Sequence, residues 1–595
     1  MSLDTWNSLT EMFYAQAKLL AKKPLLFEKQ GGAWKSLTWR QTAEQVTKLA
    51  SALEKLGIEA GDRVVLVSQN CPEWAIADFA VMSIGAISVP TYTTNTARDH
   101  LHILENSGAK AAIVSTKTLA RTFLKAAHQS DSLLHTVVID KYVIEQQLNV
   151  HIHHWQTLID AENSDIEGYA ARAESATRDD IACLIYTSGT GGLPKGVMLH
   201  HGSILHNSAG ASDIIESLGL KNNKFLSFLP LSHAYEHTAG HCWPLAIGAQ
   251  IWYAESIDKL ASNMEEVKPT VMVVVPRLFE MLRTRITRGM QKEGGFTAKL
   301  FERCLQLGMK KQRDKLPFTF REKIESIFLH LTVKRSVNKK FGGALKALVS
   351  GGAPLSPDVG YFFSVLGLPL LQGYGQTEAG PVISVNPPAA PLMHTVGKPL
   401  KGVETKIAED GEILVRGDFV MKGYWRDEAA TNKAIINGWL HTGDIGILDD
   451  EGYLEITDRK KDLIVNDKGD NVSPQRIEGM LALEDEIAQA MVYGDRRPYM
   501  VGLIVPDSEW MVDWARKEGK PRTLSDLKND PDFKKALANA VNRVNGRLSN
   551  LEKVRRFAIA AEVFSIENEQ MTPTLKLRRH IVSEVYGHIL SSLYG

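Results

Sequence analysis

Short apolar segments alternate with segments of helical spacing from Gly61 onward. Residues 64–67 are apolar and β-branched, residues 74–84 repeat apolar positions at helical spacing, and residues 87–90 return to a strand-like pattern. The same rhythm recurs in later apolar runs that begin at Ala111, Ile181, Lys224, Thr270 and Ala347. Strands that alternate with helices pair in parallel and are covered by those helices. The pattern therefore predicts an α/β fold with a large N-terminal domain of parallel-type sheets covered by helices.

The pattern changes beyond residue 400. Short strand-like runs then lie between turn residues, at 411–417, 438–441 and 452–456. These runs predict a small β subdomain, and the mixed helices and strands that follow it predict a small α+β domain. We place the division so that residues 1–459 form the N-terminal domain and residues 460–595 form the C-terminal domain.

Composition adds little to the functional picture. At 595 residues the chain is too long for a single core, so more than one domain is expected. Lys+Arg and Asp+Glu both number 69, which gives no charge bias toward nucleic acid. The four cysteines lie far apart without a CxxC pair, which argues against a disulfide framework and fits a reducing cytosol. Residues 1–6 lack the layout of a signal peptide, so we expect a cytoplasmic protein.

A loop rich in glycine and hydroxyl groups follows the apolar run 181–185 and reads Tyr186-Thr-Ser-Gly-Thr-Gly-Gly-Leu-Pro-Lys-Gly-Val197. Glycines let backbone N–H groups approach an anion, hydroxyls add donors, and Lys195 supplies a positive charge. The loop is not a Walker A motif, because the order GxxxxGK[ST] is absent and Pro194 precedes the lysine. It predicts a polyphosphate site; the alternative is a surface turn.

Two further glycine-rich segments carry candidate nucleotide contacts. Residues 350–355 read Ser-Gly-Gly-Ala-Pro-Leu, in which the glycines and Ala353 leave room for a flat ring against the backbone. Residues 372–378 read Gln-Gly-Tyr-Gly-Gln-Thr-Glu. Tyr374 can lie against a base, Thr377 can donate to a phosphate, and Glu378 can bind a hard cation such as Mg²⁺.

Three later motifs complete the set. His441-Thr-Gly-Asp444 is expected to place a carboxylate just past a strand, where it suits a vicinal diol. Asp458-Arg-Lys-Lys-Asp-Leu-Ile464 places a guanidinium and lysines at the predicted domain boundary, and Thr572-Pro-Thr-Leu-Lys576 places a lysine beside a proline-set turn. Each motif alone is weak, but their combination and order are specific.

In this order the motifs resemble the adenylate-forming superfamily (acyl-CoA synthetases, luciferases and peptide-synthetase adenylation domains) over essentially the whole chain. The resemblance implies ATP, Mg²⁺ and coenzyme A as ligands, and a C-terminal domain that is mobile. It implies catalytic roles for Lys576, Glu378, Thr187, Lys195 and His233, with Glu378 and Thr190 at the metal. It implies nucleotide or CoA contacts for Thr187, Ser188, Gly189, Thr190, Gly191, Gly192, Lys195, Gly352, Ala353, Pro354, Gln372, Gly373, Tyr374, Gly375, Thr377, Asp444, Arg459, Lys461 and Gly469. The family usually has threonine where Gly191 stands.

Within this superfamily the chain looks like the long-chain acyl-CoA synthetase branch. The segments Leu229-Pro-Leu-Ser-His-Ala-Tyr-Glu236 and Val275-Pro-Arg-Leu-Phe-Glu280 and the Thr-Pro-Thr-Leu-Lys ending carry this resemblance, although His237 stands where the branch usually has arginine. The implied activity is an AMP-forming, ATP-dependent ligation of long-chain fatty acids to CoA, through an acyl-adenylate. The alternative is an acyl-AMP ligase that loads a carrier protein. Monomer and homodimer both stay open.

Two other patterns allow different hypotheses. Residues 277–346 hold 18 Lys/Arg against 6 Asp/Glu at helical spacing, which predicts either a solvated helical face or a peripheral contact with an anionic membrane at its inner face. His233-Ala-Tyr-Glu-His237 spells the H-x-x-E-H pattern of a class of zinc peptidases. Its flanking sequence favours the adenylating hypothesis instead.

Overall fold

The computed structural model describes residues 5–141, 148–187, 193–219, 222–460, 463–468, 470–572 and 576–595. Its helices, numbered α1 to α22, are Leu9–Leu20, Trp39–Lys55, Pro72–Ser83, Ala97–Ser107, Lys117–Ala127, Trp155–Asp160, Ile166–Ala173, His201–Ile215, Ala234–Glu236, Trp243–Ala246, Leu260–Val267, Pro276–Glu293, Gly295–Gln312, Phe320–Leu329, Arg335–Lys340, Pro357–Val365, Glu428–Ala434, Pro474–Leu481, Ser508–Lys517, Leu524–Leu527, Pro531–Asn545 and Arg579–Ser592. Two π-helical segments, His237–Cys242 and His330–Lys334, connect α9 to α10 and α14 to α15.

The strands of the N-terminal part, β1 to β16, are Pro24–Gln30, Ala33–Thr38, Arg63–Val67, Ile87–Thr91, Ala111–Val114, His135–Val138, His151–His154, Ile181–Thr187, Lys195–His200, Lys224–Ser227, Gln250–Tyr253, Val271–Val274, Ala347–Ser350, Leu370–Gly375, Val382–Val385 and Lys398–Pro399. The later strands, β17 to β26, are Glu404–Ile407, Glu412–Arg416, Ile435–Ile436, Trp439–Leu448, Leu454–Arg459, Ile464–Val465, Asn471–Val472, Ile487–Tyr493, Met500–Pro506 and Val554–Ile559.

The N-terminal part contains two large sheets whose central strands are parallel. One has the order β16-β15-β14-β13-β12-β10-β11-β1-β2, with β2, β15 and β16 antiparallel at its edges. The other has the order β7-β6-β5-β3-β4-β8-β9, with only β9 antiparallel among its strands. The two sheets agree with the prediction from apolar runs, because every apolar run named between residues 64 and 350 forms a strand of one sheet or the other.

The main core packs helices α1, α2 and α3 against strands of both sheets. Helix α3 lies in the interior, where every residue except Glu73 is buried. Helix α2 begins at a capping box, in which Thr38 and Gln41 satisfy each other's backbone N–H groups. Burial of one helix between two layers joins the sheets into a single scaffold for the loops at the carboxyl ends of their strands.

The predicted β subdomain is a five-stranded antiparallel sheet, in which β17, β18, β20 and β19 follow in order and β21 pairs with β20. One expectation about it is wrong. Asp444 does not follow a strand but lies inside β20, where it pairs with Arg459 of β21. Gly443 has a φ of 72°, and the pairing of β20 with β18 shifts register between Ile445 and His441, so the strand continues past this glycine through an irregularity.

The C-terminal part combines the hairpin of β22 and β23 with the three-stranded sheet β24-β25-β26 and helices α18 to α22. Three arginines form contacts between the N-terminal and C-terminal parts. Arg277 donates to the carbonyl of Ala488 at 2.9 Å, and Arg288 pairs with Asp507 at 2.8 Å. Arg547 pairs with Asp358 at 3.0 Å. Among the helices of the described ranges, none is long and apolar enough to cross a membrane.

Candidate active site

A cleft of about 2700 Å³ opens beyond the carboxyl ends of β8, β13 and β14, between the N-terminal and C-terminal parts. Open α/β sheets bind ligands at this end of their strands. The predicted site residues that line the cleft are Thr187, Lys195, His233, Gly352, Ala353, Pro354, Gln372, Gly373, Tyr374, Gly375, Thr377, Glu378, Asp444, Arg459 and Lys576. Seven other predicted residues lie outside the described ranges: Ser188, Gly189, Thr190, Gly191, Gly192, Lys461 and Gly469.

The candidate phosphate loop is carried by a β-hairpin. Thr187 ends β8 and Lys195 begins β9, and the two residues pair across the hairpin. The Lys195 ammonium lies 2.9 Å from Oδ2 of Asp427, and 5.3 Å from the centre of the Tyr424 ring. Its hydrogen bond to Asp427 lowers the pKa of that carboxyl. Lys195 is therefore a cation held at the edge of the cleft.

Glu378 lies in the short turn that follows β14. Its Oε1 accepts a hydrogen bond of 2.8 Å from the hydroxyl of Tyr424, and its carbonyl accepts one from the backbone of Met421. Burial and the neighbouring Glu378 charge raise the pKa of Tyr424, so this phenol stays a donor. Mg²⁺ is commonly held by one or two protein carboxylates together with substrate phosphates, and a carboxylate fixed at the cleft wall fits that need.

Sequence reasoning missed Tyr424 and Asp427. They lie in Gly423-Tyr424-Trp425-Arg426-Asp427, where Gly423 has a φ of 131°. Tyr374 was identified as an aromatic residue between two glycines, whereas Tyr424 has a glycine on one side only, so this segment carries a weaker form of the same signal.

Tyr374, Asp444 and Arg459 form a second polar group. The Tyr374 hydroxyl donates to Oδ2 of Asp444 at 2.7 Å, and Nε of Arg459 lies 3.4 Å from Oδ1. Burial, followed by the Asp444 charge, raises the pKa of Tyr374 well above its ordinary value. The arrangement presents a fixed carboxylate beside a guanidinium, which can accept hydrogen bonds from a diol.

The glycines of these motifs have two different physical reasons. A Cβ at Gly375 would lie 1.8 Å from the carbonyl oxygen of Pro381, so packing within the protein requires glycine there. Gly352 has a φ of 83°, and a Cβ on it would meet nothing nearer than Val275 at 3.9 Å. The open space at Gly352 fits the approach of a flat ligand to the backbone.

His233 and Lys576 come from different parts of the chain. Burial, followed by the charge of Lys576, lowers the pKa of His233 to about 3. The His233 ring is therefore neutral near pH 7, and its Nδ1 accepts a hydrogen bond from the Tyr235 backbone at 3.2 Å, which places the proton on Nε2. Lys576 is exposed and is positioned by a turn in which its backbone N–H donates to the Thr572 hydroxyl at 3.0 Å.

Part of the cleft lining, which we call the apolar arm, is apolar and comes from α8, the helical segments 237–246 and the nine-stranded sheet. Its lining residues are Ala211, Ile214, Ile215, Ala239, Trp243, Val273, Val349, Val382 and Val385. The indole of Trp243 is buried and donates to the hydroxyl of Ser212 at 2.8 Å. The sequence did not indicate which residues form this arm, because they come from six separate elements. It can hold an extended hydrocarbon.

The zinc-peptidase pattern does not form a ligand set. His233 lies at the cleft, whereas Nε2 of His237 lies 3.1 Å from Oδ2 of buried Asp78, with His241 at 3.7 Å from the same oxygen. Within the described ranges, no group of three or more His, Cys, Asp or Glu side chains could hold a metal ion. His237, the departure from the family pattern, therefore pairs with a core carboxylate.

Known proteins match the chain from end to end. The AMP-binding enzyme family matches residues 13–425, and the AMP-binding enzyme C-terminal domain matches residues 461–595. The long-chain-fatty-acid–CoA ligase FadD15 of Mycobacterium tuberculosis is 34% identical over 95% of this chain and 93% of its own length. The peroxisomal long chain acyl-CoA synthetase 7 of Arabidopsis thaliana is 30% identical over 95% and 82%.

Solved structures agree with the architecture. The o-succinylbenzoate coenzyme A synthetase of Bacillus subtilis, in complex with ATP and magnesium ion, superposes with a TM-score of 0.67 at 21% identity, over 96% of this chain and 98% of its own. The anthranilate CoA ligase AuaEII, in complex with anthranoyl-AMP, gives a TM-score of 0.72 at 20% identity, over 98% and 97%. At this identity the likeness concerns the fold. With both family matches and relatives that extend over nearly its whole length, the chain belongs to the family of AMP-binding enzymes.

Proposed function

We propose that the protein is an ATP-dependent long-chain fatty acid–CoA ligase, which forms an acyl-adenylate with release of pyrophosphate and then a thioester with release of AMP. One observation carries the proposal. A single cleft joins Lys195, Glu378, Asp444 and Lys576 to an apolar arm. The names of the relatives at 34% and 30% identity support the substrate class.

The first step joins a carboxylate to the α-phosphate of ATP. A carboxylate is a poor electrophile, so it must be activated before a thiol can attack it. In this step its oxygen attacks the α-phosphorus and pyrophosphate leaves. Little covalent work falls on the protein, and positioning and charge neutralisation dominate. Lys195 and the loop 188–192 hold the departing pyrophosphate, and Lys576 neutralises charge at the transferred group. Glu378, with Thr190, would hold Mg²⁺, which supplies further neutralisation of the phosphate oxygens.

The nucleotide is positioned by the residues around β14 and β20. Gly352, Ala353 and Tyr374 would contact adenine, and Thr377 would donate to the α-phosphate. Asp444 would accept hydrogen bonds from the ribose hydroxyls, because Tyr374 and Arg459 fix its carboxylate at the cleft wall. Pro354, Gln372, Gly373 and Gly375 shape the backbone at these contacts. The apolar arm would take the acyl chain.

His233 is proposed to act at the junction of the acyl and nucleotide regions. Its neutral ring carries the proton on Nε2, so it can donate a hydrogen bond to the carboxylate or to the carbonyl oxygen of the adenylate. A neutral donor adds no charge that would hold the substrate carboxylate back from attack.

In the second step the CoA thiol attacks the acyl carbonyl of the adenylate and AMP leaves. We propose that residues 1–459 and residues 460–595 are separate domains, and that the second rotates about Lys461 between the steps. Lys576 lines the cleft in the present arrangement, which supports its use in the first step. Rotation would withdraw Lys576 and bring the hairpin at Gly469 to the tunnel for the CoA thiol.

An AMP-release assay over a panel of acids from acetate to twenty-carbon acids, with and without CoA, tests the proposal. We expect AMP release that depends on CoA and on a long acyl chain. Adenylate formation without CoA-dependent release would favour the alternative acyl-AMP ligase that loads a carrier protein. If no carboxylic acid yields AMP, the proposed reaction is wrong.

We also propose a cytoplasmic location with peripheral contact at the inner face of an anionic membrane. The basic balance of residues 277–346 supports this contact, with 18 Lys/Arg against 6 Asp/Glu. A fractionation experiment that recovers the protein partly with membranes, and releases it in high salt, would agree with it.

A further inference from the structure

Helix α14 turns its polar side toward the protein. Glu325 accepts hydrogen bonds from Nε and Nη2 of Arg303 at 2.8 and 3.0 Å. Both oxygens of Glu322 accept from Nζ of Lys310, at 2.8 and 2.9 Å. Arg303 and Lys310 belong to α13, so two ion pairs attach α14 to the helix beneath it. Within α14 only Leu329 is buried.

The opposite side of α14 is apolar and faces solvent. Its residues and Leu331 of the following π-helical segment recur at helical spacing, and we call them together the α14 apolar face. Their exposed fractions are Phe320 78%, Ile324 56%, Ile327 63%, Phe328 47% and Leu331 59%. A surface helix normally does the reverse, with its apolar stripe toward the core. Large apolar side chains gathered in one exposed stripe mark an interaction surface, because burying them removes apolar area from water.

The segment that carries the α14 apolar face is rich in basic residues. Residues 320–340 contain six Lys/Arg, namely Arg321, Lys323, Lys334, Arg335, Lys339 and Lys340. The same range contains two acidic residues, Glu322 and Glu325, and both are already paired with cations of α13. The segment therefore carries a net positive charge, which an anionic partner complements.

We propose that the α14 apolar face docks on an anionic lipid surface. The five side chains enter the boundary between headgroups and acyl chains, while the flanking lysines and arginines lie among the anionic headgroups. Helices with an apolar stripe and basic flanks bind membranes in this interfacial orientation. The ion pairs of Glu322 and Glu325 hold the helix in the required orientation before it meets the bilayer. This docking rests on the peripheral membrane contact proposed above and does not depend on the ligase reaction.

A second copy of the chain fits this surface less well than lipid does. A symmetric dimer formed through the α14 apolar face would place the same surface of both copies in contact. The basic flanks around the two stripes would then face each other, and like charges across an interface oppose association. An anionic bilayer satisfies the apolar stripe and the charge together.

Co-sedimentation of the full-length protein with vesicles tests the proposal. The vesicles contain either phosphatidylcholine alone or equal parts of phosphatidylcholine and phosphatidylglycerol, at low and at high salt. We expect binding to the anionic vesicles that weakens in high salt. The triple variant Ile324→Ser/Ile327→Ser/Phe328→Ser should reduce the vesicle-bound to free ratio at least about tenfold. Arg321→Glu/Lys323→Glu should weaken binding to anionic vesicles specifically.

A matched control replaces three exposed apolar residues elsewhere, as Leu134→Ser/Ile447→Ser/Val585→Ser, and should bind as the parent protein does. AMP release from a fatty acid in vesicle-free solution should be the same in all these variants. Equal binding of the α14 triple variant and the parent would overturn the proposal, as would equal binding to neutral and anionic vesicles. So would a concentration-dependent dimer in analytical ultracentrifugation that the triple variant abolishes, because the occupant would then be a second copy. Loss of ligase activity in every protein would contradict the proposed reaction but leave the vesicle result intact.

Discussion

The hydroxyl of Tyr424 donates a hydrogen bond to Oε1 of Glu378, with an O···O distance of 2.8 Å. The same aromatic ring lies 5.3 Å from the ammonium of Lys195. Tyr424 also forms an isolated antiparallel bridge with Val197 of β9, so its backbone position is set by the strand that carries the lysine. One tyrosine thus connects the carboxylate proposed for Mg²⁺ to the lysine proposed for pyrophosphate.

Replacement of Tyr424 by phenylalanine should slow adenylate formation and raise the Mg²⁺ concentration at which it is half-maximal. A hydrogen bond to a charged group contributes about 1.5–3 kcal/mol, so the loss is expected to be about ten- to hundredfold in kcat/KM. Pyrophosphate exchange at a series of Mg²⁺ concentrations measures both effects. The control is Tyr453→Phe, because that hydroxyl donates to the carbonyl of Ala390 away from Glu378. If Tyr424→Phe has the Mg²⁺ dependence of the parent, the positioning role is wrong.

The sheets could be predicted because their apolar runs are local signals. A buried parallel strand is apolar on both faces, so runs such as 181–185 and 271–274 can be recognised as strands from the sequence alone. The residues around the cleft could be predicted only where glycine, hydroxyl and charged residues come together along the sequence, as at Glu378. Asp444 was predicted to lie just past a strand, but the strand that contains it continues through Gly443 to Leu448.

The apolar arm and the orientation of α14 could not be predicted in the same way. The arm takes residues from α8, the π-helical segment and several strands, and only the fold brings Ile214 and Val349 together. In α14, periodicity does give an apolar stripe, but it does not say which side faces the protein. That direction depends on the ion pairs of Glu322 and Glu325 with α13.

Lys576→Ala should nearly abolish adenylate formation and leave thioester formation from supplied acyl-adenylate largely intact. The lysine lines the cleft in the present arrangement, and removal of a cation at a transferring phosphoryl group costs roughly 10²–10³ in rate. The two half-reactions are measured separately, by pyrophosphate exchange and by AMP release from synthetic acyl-adenylate. Lys553→Ala, at a half-buried lysine of the C-terminal part that bonds to Asn550, is the control. Equal loss of both half-reactions would contradict the assignment.

Glu236 should make stability fall as pH rises. Burial raises the pKa of this carboxyl from 4.5 to about 8, although a hydrogen bond from Ser227 lowers it in part. Between these values the unfolded chain releases the proton and the folded chain keeps it. The unfolded state then binds fewer protons, so the free energy of unfolding decreases from about pH 4.5 to about pH 8. Below pH 4.5 Glu236 is protonated in both the folded and the unfolded state, so it does not make the free energy of unfolding depend on pH.

Glu236→Gln removes this titration while it keeps the size of the side chain. Between pH 5 and pH 8 the free energy of unfolding of the variant should rise relative to that of the parent protein by about 2–4 kcal/mol. The difference in Tm between the two proteins should therefore grow with pH. The control is the exposed substitution Glu518→Gln, which removes a carboxyl outside the core. A Tm difference for Glu236→Gln that is constant across this range would contradict a protonated carboxyl in the fold.

The apolar arm should set a preference for long acids. Each buried methylene contributes about 0.8 kcal/mol, so kcat/KM is expected to rise up to about fourfold per carbon, to acids of about twelve carbons or longer. Acetate and aromatic acids should be poor substrates.

Trp243 tests whether this arm holds the chain. Its indole lines the arm and is fixed by the Ser212 hydroxyl at 2.8 Å and by an edge contact with Phe225 at 5.2 Å between ring centres. Trp243→Ala opens space beside the acyl chain, so the optimum should move to longer acids and the rate with short acids should fall, because a cavity replaces part of their contacts. Trp439→Ala, at a tryptophan that stacks with Lys406 outside the cleft, should leave the profile unchanged. A kcat/KM series that peaks at two to six carbons would overturn the long-chain assignment while the adenylating chemistry stands. An unchanged profile in Trp243→Ala would place the acyl chain elsewhere.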